Sequence, residues 1–135
     1  MFRYRVSSHP DQGGADLWLP HGLTDDGILR NGFHSLSYDY IAHELRCSFP
    51  DLAAMRIIVA QLGSGVSMRA MKDGRSVANT MGLTALDGLA MGHRCGALDP
   101  GLVLHLIKER GYGAPDLRDM LFQQSGLLGV SGISG

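Results

Sequence analysis

The sequence predicts an α/β fold, an antiparallel three-strand meander with flanking helices. Three observations carry this. Ile57 to Leu62 is a near-continuous apolar run with β-branched residues, suited to a strand buried on both faces. Gly63-Ser64-Gly65 follows, and then Val66, Met68 and Ala70 alternate with Ser67 and Arg69, the pattern of a half-covered strand. Asp73-Gly74 is a strong two-residue hairpin signal, and Ser76 to Thr80 returns as a third strand.

The remaining elements are read in order. Met1 to Gly14 has no clear period, and residues 1–18 are expected to be irregular. Leu23 to Leu29 is a short segment, with Thr24 placed to cap a helix before Asp25 and Asp26. Gly32 to Ser35 reads as a loop leading into a helix. Tyr38, Ile41 and Leu45 then fall on one helical face, with Ser37 as a possible cap and Pro50 just past the end. Met81 to Leu98 is a long glycine-dense loop, of the kind that is usually functional. Asp99-Pro100 starts a helix, capped by the aspartate, whose buried face is expected to be Leu102, Val103, Leu106 and Ile107; Gly111 ends it. Pro115 to Gln124 reads as another helix, with Leu117, Met120 and Leu121 on one face. The apolar, Gly/Ser-rich tail from Ser125 has nothing after it that closes a helix or strand, so residues 19–135 are expected to be a partial domain, incomplete at the C-terminus.

Composition narrows the class. A chain of 135 residues suffices for one domain with a core. A formal charge of -1 gives no global basic field for nucleic acid, and no apolar run reaches membrane-spanning length. Met1 to Pro20 lacks the apolar region of a signal peptide, so a cytoplasmic protein is expected. Cys47 and Cys95 lie far apart and form no CxxC, and are expected to be reduced thiols. Glycine is over-used, at 19 residues, and marks tight turns and close backbone approaches.

Three segments could carry chemistry. Glycines 63 and 65 would let backbone N–H groups point into one concavity and hold an anion, with Ser64 adding a hydroxyl; a plain tight turn fits the same residues. In Rossmann and Walker-A sites the glycine loop opens a helix, whereas here it opens a strand, which argues against a dinucleotide-binding domain. His34, beside Gly32-Phe33, could face a reacting oxyanion or simply be solvated. Arg94, between Gly92 and Gly96, is presented on a loop where a guanidinium fork could hold phosphoryl oxygens; an exposed surface arginine is the alternative. The histidines at 9, 21, 43, 93 and 105 fit no metal-ligand spacing, so no metal ligand is expected. Asp87 has no evident partner.

Taken in order, NGFHSLSYDYIA, IIVAQLGSGVSMRAMKDGRSV, TMGLTALDGLAMGHRCGALDP and SGLLGVSGIS resemble the acetate kinase family (acetate/propionate kinases), from about Leu19 to Gly132. The resemblance implies the RNase H-like half of an acetate/sugar kinase–Hsc70–actin architecture, in which a glycine loop between adjacent strands holds nucleotide phosphates. It implies reversible transfer of the ATP γ-phosphoryl group to acetate or another short-chain carboxylate, giving acetyl phosphate and ADP, with ATP and Mg²⁺ and with a homodimeric full-length enzyme. The family's GFHG histidine and MGTR arginine, which stabilise the transition state, fall on His34 and Arg94. Its HLGNG loop for ATP phosphates falls on Gln61, Leu62, Gly63, Ser64 and Gly65.

The chain departs from the family pattern at several of these positions. Gln61 and Ser64 stand where the family has His and Asn, Ser35 follows His34 in place of Gly, and His93 precedes Arg94 in place of Thr. The resemblance covers about the middle third of a family member. Met1 to Val6 lacks the aspartate of an FDTAFH motif. The chain is therefore expected to be inactive alone, with a non-catalytic ATP-binding or interaction remnant as the alternative.

Overall fold

The computed structural model describes residues 17–133; the expected irregular stretch Met1 to Gly14, and His9 within it, lie outside them. The elements are α1 (His21–Asp25), α2 (Ser35–Ser48), α3 (Pro50–Ala53), β1 (Arg56–Leu62), β2 (Val66–Lys72), β3 (Arg75–Asn79), α4 (Pro100–Arg110), α5 (Ala114–Gln123) and α6 (Gly126–Ser131). The sheet is the expected antiparallel meander, in the order β1-β2-β3. Asp73 and Gly74 both take positive φ, 52° and 70°, as a type I′ turn demands. A bulge separates Ala70 from Met71 in the pairing with β3.

Which face of the sheet is covered differs from expectation. Ser67, Arg69 and Met71 of β2 are buried, while Met68 is exposed. The cause is α2, which lays Tyr38 against this polar row. The phenol hydroxyl donates to the Ser67 carbonyl at 2.9 Å, and the Arg69 guanidinium lies 4.7 Å from the ring centroid. The register puts Ile58, Ala60 and Leu62 of β1 and Val66, Met68 and Ala70 of β2 on the opposite face. Ile58 and Leu62 are each 72% exposed, so β1 is not buried on both faces.

The helices depart in detail. α1 begins directly after Pro20, and Thr24 lies in its last turn rather than at its cap; Gly27, at φ 84°, closes it by donating to the Thr24 carbonyl. α2 begins at Ser35, two residues before Ser37, because Ser35 Oγ donates to the Gly32 carbonyl at 3.1 Å and closes the turn there. Its buried face centres on Tyr38 and Ala42, with Ile41 and Leu45 half-buried. Pro50 lies past this helix but opens α3.

In α4 the Asp99 carboxylate accepts from Gly101 N at 2.9 Å and Gly111 ends the helix at φ 69°, as expected. Its apolar face is not buried: Val103 and Leu106 are half-covered, and Leu102 and Ile107 are exposed. No described element packs extensively against it. α5 buries Leu117, and Asp116 Oδ2 accepts from Gly113 N at 2.9 Å across its first turn. Within the glycine-rich tail, Gly126 to Ser131 form α6, which Gly132 closes at φ 73°.

Candidate active site

The three segments singled out by sequence meet at Gly65. A Cβ placed on Gly65 would lie 3.1 Å from His34 Nε2 and 3.5 Å from Arg94 Nη1. Gly65 is buried and its φ is not positive, so glycine here answers close approach rather than a left-handed backbone. The β1–β2 register sets the loop's position: Leu62 pairs with Val66, leaving residues 63–65 as the connection.

The rest of the loop is less uniform. Gly63 N donates to the Gly65 carbonyl at 3.2 Å, so this N–H is engaged within the turn rather than pointing freely into a concavity. Ser64 is exposed. Gln61 is half-buried on the Ser67 side of the sheet, opposite Ser67 in the pairing. Leu62 faces the other side and is exposed, so its backbone is what adjoins the turn.

His34 sits at the N-terminus of α2 with no side-chain capping bond. Its Nδ1 lies 2.7 Å from Ser67 Oγ, which is itself 2.6 Å from the Tyr38 hydroxyl. The ring meets Tyr38 edge-on, with centroids 6.4 Å apart. Burial, with the positive charge of Arg94 added, holds the imidazole below its ordinary pKa. Ser35 turns toward Gly32 and accepts from Arg69 Nη2 at 3.4 Å.

Arg94 is held by main chain. Its Nη1 donates to the Ala85 carbonyl at 3.1 Å and lies 3.6 Å from Met91 Sδ. It forms no ion pair among the described residues. The segment that carries it is docked on the α5–α6 junction by four backbone hydrogen bonds. Cys95 N donates to Leu121 O, Ser125 N to His93 O, Leu127 N to Met91 O and Leu128 N to Gly92 O, all at 2.9–3.1 Å. Gly126, at φ 64°, makes this possible: a Cβ there would collide with the Met91 and Arg94 carbonyls. Met91 beneath the loop is fully buried, and His93 is exposed.

Sequence reasoning left out Ser67, Tyr38 and Gly126. Ser67 and Tyr38 looked like strand and helix filler, and only their contacts 29 positions apart give them weight. Asp87, without a partner in the sequence reading, accepts from Gly88 N at 2.8 Å and raises the Cys95 thiol pKa, after burial as the main cause. Cys47 and Cys95 are both free. Among the described residues no group of three or more His, Cys, Asp or Glu could hold a metal ion. No described helix is long and apolar enough to cross a membrane.

Residues 14–135 match the model of the acetokinase family. The chain belongs to that family. It is 54% identical over 116 residues to an acetate kinase of Methylocella silvestris, and 55% identical over 121 residues to one of Rhodopseudomonas palustris. Each match covers 86% of this chain and 29% of the relative. The acetokinase fold is equally clear. The acetate kinase of Porphyromonas gingivalis superposes with a TM-score of 0.84 at 33% identity, covering 96% of this chain and 33% of that one. A propionate kinase from Francisella tularensis gives 0.83 at 35% identity, with the same coverage. This acetokinase chain therefore spans about 29% of the length of the curated relatives it matches.

Proposed function

We propose that this chain forms the phosphoryl-binding wall of an acetate kinase-type phosphotransferase. The observation that carries the reading is the meeting of His34 and Arg94 at Gly65. In the reaction a carboxylate oxygen of acetate forms a bond to the γ-phosphorus of ATP, the bond from that phosphorus to the β,γ-bridging oxygen breaks, and acetyl phosphate and ADP result. The acceptor class is a short-chain carboxylate, since both an acetate kinase and a propionate kinase share the fold.

Each residue has a definite task in this reading. Arg94 has a guanidinium anchored by the Ala85 carbonyl and unpaired with any described carboxylate, so its charge is available to the equatorial phosphoryl oxygens. His34 presents Nε2 to the same place and would hydrogen-bond or, once protonated, neutralise a phosphoryl oxygen. Gly65 keeps the space between them open. Gln61, Leu62, Gly63 and Ser64 flank the phosphates along the turn, mainly through backbone. The described residues do not fit a Mg²⁺ cage.

In this reading these 135 residues alone bind ATP at that wall but do not turn over. Two assays test this. Calorimetry with ATP should show binding that weakens in Arg94→Ala; a folded chain that gives no heat would remove the phosphate-wall reading. Hydroxylamine trapping of acyl phosphate from ATP, Mg²⁺ and acetate should stay at background. Turnover comparable to that of a full-length relative would refute inactivity.

A further inference from the structure

We infer that Ser67 and Tyr38 are positioning residues that lock the His34 imidazole with its proton on Nδ1, making Nε2 the atom that gains and loses a proton beside the glycine loop. The role of Nε2 toward phosphate rests on the function proposed above; the lock itself rests on geometry alone.

Three short contacts link these groups: Tyr38 Oη to the Ser67 carbonyl at 2.9 Å, Tyr38 Oη to Ser67 Oγ at 2.6 Å, and Ser67 Oγ to His34 Nδ1 at 2.7 Å. The carbonyl can only accept, so the phenol proton points to it. The contact between the two hydroxyls is then a bond only if Ser67 Oγ donates to Tyr38. With its proton so used, Ser67 Oγ can only accept from His34, which requires Nδ1–H. In the alternative, Tyr38 donates to Ser67 Oγ and Ser67 to an unprotonated Nδ1, and the 2.9 Å contact to the carbonyl loses its proton. Only the first arrangement satisfies all three contacts.

The surroundings favour a fixed network. Ser67 is 1% and Tyr38 2% exposed, so water does not compete for these bonds. The Arg69 guanidinium stacked on Tyr38 restrains the ring, and Arg69 is in turn engaged by Ser35 and, at 3.4 Å, by Asp39. The groups around His34 are Tyr38 from its own helix, Ser67 from β2, Gly65 from the loop and Arg94 from the long connection. Burial first, and then the charge of Arg94, make the imidazole harder to protonate while no anion is bound. An arriving phosphoryl oxygen would oppose that charge. It would favour protonation at Nε2, with no rearrangement at Nδ1, because Ser67 Oγ already accepts there.

Nitrogen NMR on the ¹⁵N-histidine-labelled full chain tests the lock. At pH 8, His34 should show a protonated Nδ1 and an unprotonated Nε2. Tyr38→Phe frees the Ser67 hydroxyl to donate to Nδ1, so the proton should move to Nε2 as the major form. Ser67→Ala should abolish the preference for Nδ1–H, and Ser67→Thr, which keeps the hydroxyl, should retain it. A wild-type Nε2–H form overturns the inference, as does an unchanged tautomer in folded Tyr38→Phe. If Tyr38→Phe does not fold, the wild-type spectrum and the Ser67 pair decide the matter. Inorganic phosphate, added last, should raise the His34 titration midpoint. A locked tautomer with no response to phosphate would refute the phosphate-wall reading and leave the lock standing.

Discussion

Gly65 offers the cleanest separation of function from stability. Its backbone is unstrained, and what a methyl group would meet are the ends of the His34 and Arg94 side chains, at 3.1 and 3.5 Å. Arg94 Nη1 can swing aside, and the imidazole, held at Nδ1, can tilt at its Nε2 edge by a few tenths of an ångström without moving main chain. Gly65→Ala should therefore change unfolding free energy by less than about 1 kcal/mol, while ATP binding falls markedly in calorimetry. Arg94→Ala should weaken binding by about tenfold or more, since a hydrogen bond to a charged group contributes roughly 1.5–3 kcal/mol. His34 makes a pH-dependent contribution of known sign. Its folded pKa lies below the ordinary value, so between the two the unfolded chain binds more protons and stability rises with pH. The contribution is complete above about 6.5 and is lost as pH falls through the folded value. In thermal melts at pH 5 to 7, the wild type should lose more stability on acidification than His34→Gln. Parallel profiles would show that the imidazole is not held neutral.

At the scale of elements, Gly126 carries the placement of Arg94. Its φ of 64° belongs to the left-handed region, and a Cβ would meet main-chain carbonyls, which cannot swing aside. Gly126→Ala should cost about 1–3 kcal/mol for backbone strain alone and should also release residues 91–95 from the α5–α6 junction. Lowered melting temperature and lost ATP binding should appear together, in contrast to Gly65→Ala. This element also marks the limit of what the sequence discloses. The β2–β3 hairpin and the start of α4 were legible because Asp73-Gly74 and the Asp99-Pro100 cap are local signals that act within a few residues. α6 was not, because Gly126 to Ser131 becomes helical where its first turn bonds back to Met91 and Gly92, some 36 positions earlier. The covered face of β2 was hidden for the same reason. Val66-Met68-Ala70 and Ser67-Arg69-Met71 alternate equally well, and the choice falls to Tyr38, which the strand itself does not contain. Of the candidate site, motif order singled out His34, Arg94 and the glycine loop, but not the Ser67 that orients the imidazole.

The whole molecule buries little for its length. The buried hydrophobic residues among those described are Tyr38, Ala42, Ala53, Met71, Met81, Met91 and Leu117. They lie on α2, α3, the inner face of the sheet, the long connection that carries Arg94, and α5. Outside it, Ile58, Leu62 and Met68 form an apolar sheet face that no described element covers. Exposed contiguous apolar surface of this kind is uncommon in independent monomers and promotes association. The 135-residue chain should therefore bind a hydrophobic dye and sediment with concentration-dependent mass. Ile58 and Leu62 point away from α2, and water already reaches most of each side chain, so polar replacement removes little buried area. Ile58→Lys with Leu62→Lys should suppress both dye binding and association and shift stability by less than about 1 kcal/mol for the pair, as surface substitutions do. ATP binding should persist, because His34, Gly65 and Arg94 meet on the α2 side. A collapse of the melting temperature in this variant would mean that the apolar face is covered within the chain, and the two-sided account of the sheet would fail with it.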